Sequence, residues 1–254
     1  MALSTKDIDG LATALVQARR PGAERIAIPA VLPASLEEAY QVQDAVIKKS
    51  RGVAGWKVGA PSPTADPSCA PILAGSVMTA SGAGIAVPAV MAVEVELAFK
   101  MAKAIPSSNT APSREAVLAA IGSAHLAIEL CATRFAGGEK SPPMALHADN
   151  INNFGLVLGP EIKAWRTINS ETQLATVAVD GKPVVEMKGG YAAKDAIRVL
   201  VWQVQHIVTR RGGMPAGTVI TTGSWTGIHW MAPPAKIAAA FPGFGAMEIA
   251  LRAG

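Results

Sequence analysis

The chain has too little of several residue types to support some common kinds of site. Its 254 residues hold two cysteines, Cys69 and Cys131. Two cannot form a disulfide framework in a chain of this size, and neither has C-x-x-C or zinc-ligand spacing. Both are expected to be inert thiols in a reducing compartment. The four histidines (His125, His147, His206 and His229) share no metal-ligand spacing. They read as structural or exposed side chains, with His147, close to Asp149, placed to relay a proton if a pocket forms there. No apolar run reaches the ~20 residues of a membrane span. The first thirty residues carry Lys6, Asp7 and Asp9 without an apolar h-region, which predicts a cytoplasmic protein. Charged residues are only 17%, with a net charge of +4. The cations are scattered, with short pairs at Arg19-Arg20, Lys48-Lys49 and Arg210-Arg211, at predicted helix ends where they suit the helix dipole. That pattern argues against a nucleic-acid surface. No repeat, low-complexity stretch or flexible linker is visible.

What is present is a core and a change of texture. Half of the residues are hydrophobic, enough to bury a large core. Residues 1–52 read as a helical part. Ser4 or Thr5 opens a helix with Leu11, Leu15 and Val16 on one face, and Ser35-Leu36-Glu37-Glu38 has the form of a capping box opening a second. From residue 53 onward, short β-branched runs are punctuated by Gly and Pro. Strands are predicted at 56–58, 93–99, 126–131, 155–158, 175–179, 184–185, 218–222, 236–241 and 246–251. Asp180-Gly181 supplies a type I′ hairpin turn. Two helices interrupt the strands, one capped by Ser113 and one over 195–211. The expectation is one α+β unit, helical first and β-rich over 53–254.

Three acids stand out inside apolar, strand-like runs: Glu94 and Glu96 in V-E-V-E-L-A-F, and Glu129 in L-A-I-E-L. Burying a carboxylate there is costly unless something pairs with it. Strand alternation turns Glu94 and Glu96 to one face while Val93, Val95 and Leu97 turn to the other. A hard cation, Mg²⁺ or Mn²⁺, would suit an oxygen-only donor set. On spacing alone the alternative stands that Glu94 and Glu96 are the wet face of an edge strand. Likewise Lys57 alone could be an exposed strand lysine, Asp149-Asn150 a turn or cap, and Thr222 and Ser224 turn hydroxyls.

The V-E-V-E-L-A-F segment closely resembles the metal-binding strand of the fumarylacetoacetate hydrolase superfamily, best in its 2-keto-4-pentenoate hydratase and 4-oxalocrotonate decarboxylase branch. Further likenesses come in order: Gly55-Trp56-Lys57-Val58-Gly59, Ala127-Ile128-Glu129-Leu130 with Arg134 downstream, Ala148-Asp149-Asn150, Gly155 to Gly159, Thr222-Gly223-Ser224, and the closing strand from Phe244 to Ile249. The resemblance covers nearly the whole chain. It implies a β-rich roll of mixed sheets with an N-terminal helical part. It implies Glu94, Glu96 and Glu129 as metal ligands, Lys57 as the active-site lysine, and Asp149, Thr222, Gly223 and Ser224 as substrate-pocket residues.

The same resemblance implies a metal-dependent hydratase of an unsaturated 2-oxo or 2-hydroxydienoic acid in aromatic-compound catabolism. It also implies a homo-oligomer that associates with a related pathway enzyme. Alternatives are a 4-oxalocrotonate-type decarboxylase, an acylpyruvate C–C hydrolase and a non-catalytic relative. The hydrolase ranks lower because the N-terminal part holds no histidine for a water-activating pair. Departures from the branch pattern keep the others open: Ala70 to Gly75 lacks an acid found there in relatives, Asn152-Asn153 stands where many have Ser, and Ala132 replaces an acid.

Overall fold

In the computed structural model, residues 3–80 and 84–254 are described. The chain opens with α1 (Thr5–Gln17) and α2 (Leu36–Lys49). At α1 the Ser4 hydroxyl accepts the Asp7 N–H while the Asp7 carboxylate accepts the Ser4 N–H, a complete capping box. The expected box at α2 forms only by half. Ser35 accepts the Glu38 N–H, but the Glu38 carboxylate passes Ser35 and takes the N–H groups of Ala34 (2.7 Å) and Leu3 (3.2 Å). Glu38 thus ties the two helix starts together. Leu11, Ala12 and Leu15 pack on Ala39, Val42 and Val46, and this cluster runs on into Leu73, Phe135, Ala145 and Ala148. The helical part is therefore keyed into the β-rich part through shared apolar contacts.

The remainder comprises β1 (Val53–Gly59), β2 (Ser68–Leu73), β3 (Val77–Thr79), β4 (Ile85–Val87), β5 (Met91–Met101), β6 (Ile105–Pro106), α3 (Arg114–Ala120), β7 (Ile121–Cys131), α4 (Pro143–Ala148), β8 (Asn153–Glu161), β9 (Leu174–Val179), β10 (Lys182–Lys188), α5 (Ala196–Arg210), β11 (Gly213–Met214), β12 (Val219–Ser224), β13 (His229–Met231), β14 (Ala235–Phe241) and β15 (Gly245–Ala253). The larger sheet has the order β2-β1-β12-β5-β7-β8-β3, with β13 also pairing to β5. The smaller has the order β10-β9-β14-β15-β4, and β6 pairs with β11. Parallel pairs (β1 with β12, β3 with β8) sit among antiparallel ones, so the sheet is mixed. The predicted hairpin is present, with Asp180 and Gly181 both at positive φ, as a type I′ turn requires.

Period-two alternation on β5 and β7 separates two environments. Val93, Val95, Leu97 and Phe99, with Leu126, Ile128 and Leu130, join the main core with Ala175, Val177, Ile237 and Ile249 of the smaller sheet and with α5. The opposite face lies inside the roll. The larger sheet curls until β2 meets β8, and Ile72, Ala98, Ala127, Leu156 and Val219 form a separate apolar plug there. β5 is thus a central strand buried on both faces, not a wetted edge. Among the described residues, no helix is long and apolar enough to cross a membrane.

The basic pairs find specific anions as well as helix ends. Lys49 bonds Asp9 at 2.6 Å, Arg210 bonds Glu37 at 2.6 Å, and Arg19 lies 3.5 Å from Asp149.

Candidate metal centre

The three acids project from the same inner face as the apolar plug. Register sets Glu94 directly opposite Glu129, and Glu96 opposite Ala127. β1 reaches the same place through β12, because Lys57 pairs with Thr221, which in turn pairs with Ala98. The Lys57 ammonium donates to Glu129 Oε1 at 2.6 Å and to the Ile151 carbonyl at 3.0 Å. Asn153 Nδ2 donates to the same Glu129 oxygen at 2.8 Å. The Ile151 carbonyl is aimed by an uncommon turn in which Asn150, Ile151 and Asn152 all have φ between 49° and 60°. A β-branched residue is strained in that region, by about 1–3 kcal/mol. The turn is held by Asn150 Nδ2 on the Pro71 carbonyl and by the Ala132 N–H on the Asn152 carbonyl.

Glu96 is fully buried, and its Oε2 accepts the Thr221 hydroxyl and, at 2.8 Å, the Gly223 N–H. Gly223 has φ +101°, a backbone conformation that other residues rarely adopt. Glu94 is half-buried, and its Oε2 accepts the Cys131 thiol at 3.4 Å. One donor atom each from Glu94, Glu129 and Cys131 lies within 4.8 Å of the others.

Charge is out of balance here. Three carboxylates face one ammonium. Burial, then the charges of Glu129 and Glu94, push the Glu96 carboxyl well above its ordinary range. Burial likewise raises Glu94, with Lys57 opposing and Glu129 reinforcing. Burial alone would lower Lys57, but Glu129 foremost, with Cys131, Glu94 and Glu96, reverses it and keeps the amine protonated. Glu129 Oε2 is buried with no hydrogen-bond partner among the described residues. An orphaned buried carboxylate oxygen beside two further acids is what a bound divalent cation would satisfy, so these residues fit one.

The other expected site residues are placed less uniformly. Asp149 is fully buried, and its carboxylate accepts Arg134 Nε at 2.6 Å, the Arg134 N–H at 2.7 Å and the Thr133 hydroxyl at 3.1 Å. With its oxygens so engaged, it anchors the exit of β7 to the end of α4. Thr222 also turns away, donating its hydroxyl to the Leu97 carbonyl at 2.7 Å while its own carbonyl accepts the Tyr191 hydroxyl. Gly223 contributes its N–H to Glu96. Ser224 bonds the Gly227 carbonyl at 3.0 Å and lies close enough to Glu94 to favour its ionised form. His147 is half-buried, and burial followed by the nearby Lys57 charge lowers its pKa, so it stays neutral. Trp225 is a core residue stacked on Tyr191 at 4.8 Å.

Thr221, Asn153 and Cys131 complete the cluster. From sequence none of them is assigned to it: Cys131 reads as an inert thiol and Asn153 as a departure from the branch pattern. Parity held the signal: Thr221 and Gly223 share a strand face, as do Glu129 and Cys131.

Residues 45–252 match the family described as fumarylacetoacetate (FAA) hydrolase, C-terminal. The chain belongs to this family. Its fold is similar over full length to 4-oxalocrotonate decarboxylase from Pseudomonas putida G7, solved with magnesium and adipate, at 18% identity and TM-score 0.80, covering 100% of this chain and 99% of that one. A 2-hydroxyhepta-2,4-diene-1,7-dioate isomerase from Mycobacterium marinum aligns at 17% identity and TM-score 0.59, covering 79% of this chain and 76% of that one. A 5-carboxymethyl-2-hydroxymuconate delta-isomerase from Mycobacterium smegmatis aligns at 16% and TM-score 0.57, covering 80% of this chain and 79% of its own. No curated protein sequence matches. At these identities the likeness establishes the fold, the mixed-sheet roll expected for the family.

Proposed function

We propose that this family member is a divalent-metal-dependent lyase, a hydratase of an unsaturated 2-oxo acid presented as its 2-hydroxydienoate, serving aromatic-compound catabolism. The observation that carries the reading is the cluster in which Glu94, Glu96 and Glu129 gather beside Lys57 on the inner face of the larger sheet. A divalent cation held by those acids would supply Lewis acidity to the carboxylate and 2-oxo oxygens of the substrate. Lys57, kept protonated by Glu129 and aimed by the Ile151 carbonyl, sets a positive charge where enolate charge develops. Thr221 and Gly223 fix the Glu96 carboxylate, so little reorganisation is needed during reaction. The apolar plug of Ala98, Ala127, Leu156 and Val219 keeps water from the closed side, which strengthens each of these interactions. The dienol first ketonises, its 2-hydroxyl proton leaving oxygen while the terminal carbon C5 takes up a proton; water then adds to the resulting enone, its oxygen joining C4 and a proton joining C3, giving a 4-hydroxy-2-oxo acid.

Charge count favours hydration. Among the described residues Lys57 is the one cation gathered at the acids, and it is already bonded to Glu129. That suits a substrate with one carboxylate more than one with two. The full-length likeness to a decarboxylase supports a second reading, in which loss of a distal carboxylate as CO₂ generates the same enolate. The experiment is to supply the Mg²⁺- or Mn²⁺-loaded protein with 2-hydroxypenta-2,4-dienoate and with 4-oxalocrotonate, following dienol absorbance and released CO₂. Dienol loss without CO₂ supports hydration, and CO₂ release supports the second reading. Silence with both, in protein that binds metal tightly, would leave a non-catalytic relative.

A further inference from the structure

We infer that Cys131 is a metal donor in this site and biases it toward a borderline cation of the Zn²⁺, Co²⁺ or Fe²⁺ type over Mg²⁺. The inference rests on the metal-centre reading and changes its donor set. On β7, alternation carries Cys131 to the same inner face as Glu129, two residues away. Register places Cys131 opposite Ala92, diagonal to Glu94, so nothing bulky separates the sulfur from the acids. The thiol is 1% exposed, and its Sγ lies 3.4 Å from Glu94 Oε2.

The atoms that converge within 4.8 Å belong to Glu94, Glu129 and Cys131, and Glu96 is not of this group. Its Oε2 is committed to Thr221 and Gly223, so Glu96 has only its other oxygen to offer a cation, and Cys131 joins the three acids as a further donor. Two donors bound to one zinc-like ion at about 2.0–2.3 Å each lie at most about 4.5 Å apart. The group therefore needs only a small adjustment of side chains to close. Independently, Glu129 Oε2 is buried and unpartnered among the described residues, an oxygen still waiting for a ligand.

Mg²⁺ and Mn²⁺ suit a set of oxygen donors throughout. A sulfur in the set alters that, because thiolate favours softer cations while Mg²⁺ avoids it. On binding, the S–H bond breaks, the sulfur keeps the electron pair and bonds the cation, and the proton passes to solvent. No oxidant or reductant is needed. Both cysteines are free and buried in separate places, so neither is consumed by the other.

The test titrates purified, chelator-stripped protein with Co²⁺ while recording the near-ultraviolet sulfur-to-cobalt charge-transfer absorption. Competition with a chelator then gives Zn²⁺ and Mg²⁺ affinities for wild type, Cys131→Val and Cys131→Ser. Wild type should show the charge-transfer band. Cys131→Val should lose it and weaken Zn²⁺ at least about tenfold with Mg²⁺ little changed. Cys131→Ser, which keeps size and a donor oxygen, should lose the band and move the Zn²⁺ to Mg²⁺ ratio the same way. Co²⁺ binding to wild type without the band, or an unchanged ratio in both variants, overturns the role of Cys131 while leaving the metal centre standing. Failure of all three cations to bind would instead remove the metal-centre reading itself.

Discussion

Glu94 and Glu129 face each other across β5 and β7 as direct register partners. Like charges in that position are destabilising. Here one of the pair is compensated by Lys57 at 2.6 Å, and the other stands at the half-buried end of the site. A structure that keeps such a pair at its centre stores an electrostatic cost that a cation relieves.

Lys57→Met should separate two roles. Without metal it leaves Glu129 buried and unpaired, at a cost of about 3–5 kcal/mol. Saturating divalent cation should restore most of that in thermal melts, and the variant should bind metal at least as tightly as wild type. With the substrate that wild type turns over, kcat should fall by about 10²- to 10⁴-fold. A variant that loses metal together with activity would contradict this division.

Thr221→Val removes the hydroxyl that orients Glu96 and keeps the side-chain shape. Metal affinity should fall by about 10- to 100-fold with the fold intact. Calorimetric titration beside a circular-dichroism spectrum checks it. Glu96→Gln should go further, removing measurable metal affinity and turnover together.

Asp149→Asn addresses a carboxylate that sequence resemblance assigns to substrate. In the structure Asp149 answers Arg134 and Thr133. The variant should therefore lose about 3–5 kcal/mol in urea unfolding while the KM of the folded protein stays within a few-fold of wild type. A large KM increase with unchanged stability would return Asp149 to the pocket.

His206 supplies a pH dependence away from the acids. Burial first, then the charges of Arg211 and Arg210, lower its pKa from 6.5 to about 4, with Glu37 opposing. Above pH 6.5 the imidazole is neutral in both the folded and unfolded chain. As pH falls from 6.5 toward about 4, the unfolded chain takes up a proton that the folded chain refuses, so stability declines over that window and levels off below it. His206 stacks on Trp202 at 4.8 Å, and His206→Phe should keep an aromatic there while flattening this part of the stability–pH curve. Equal slopes in the two proteins would show that other groups carry the dependence.

The helices, the Asp180-Gly181 hairpin and most strands were legible because their signals are local: a capping hydroxyl, a turn that demands positive φ, an apolar period of two. The same locality put Glu94 and Glu96 on one face. The half-formed box at Ser35 was not legible, because the choice of Glu38 between the Ser35 and Ala34 N–H groups depends on where Leu3 lies.

Sequence by itself thus determined which side chains share a strand face, and with them the helical start, the β-rich body and the shared face of Glu94 and Glu96; Lys57 and Glu129 joined them only through the family resemblance. Tertiary structure decided what those side chains meet. Cys131 reaches Glu94 across 37 positions and Thr221 reaches Glu96 across 125, while Asp149 is bonded by Arg134. Facing follows from backbone periodicity, which a short stretch of chain fixes. Partnership follows from strand order, register and the curl of the whole sheet, which exist only once distant segments pack together.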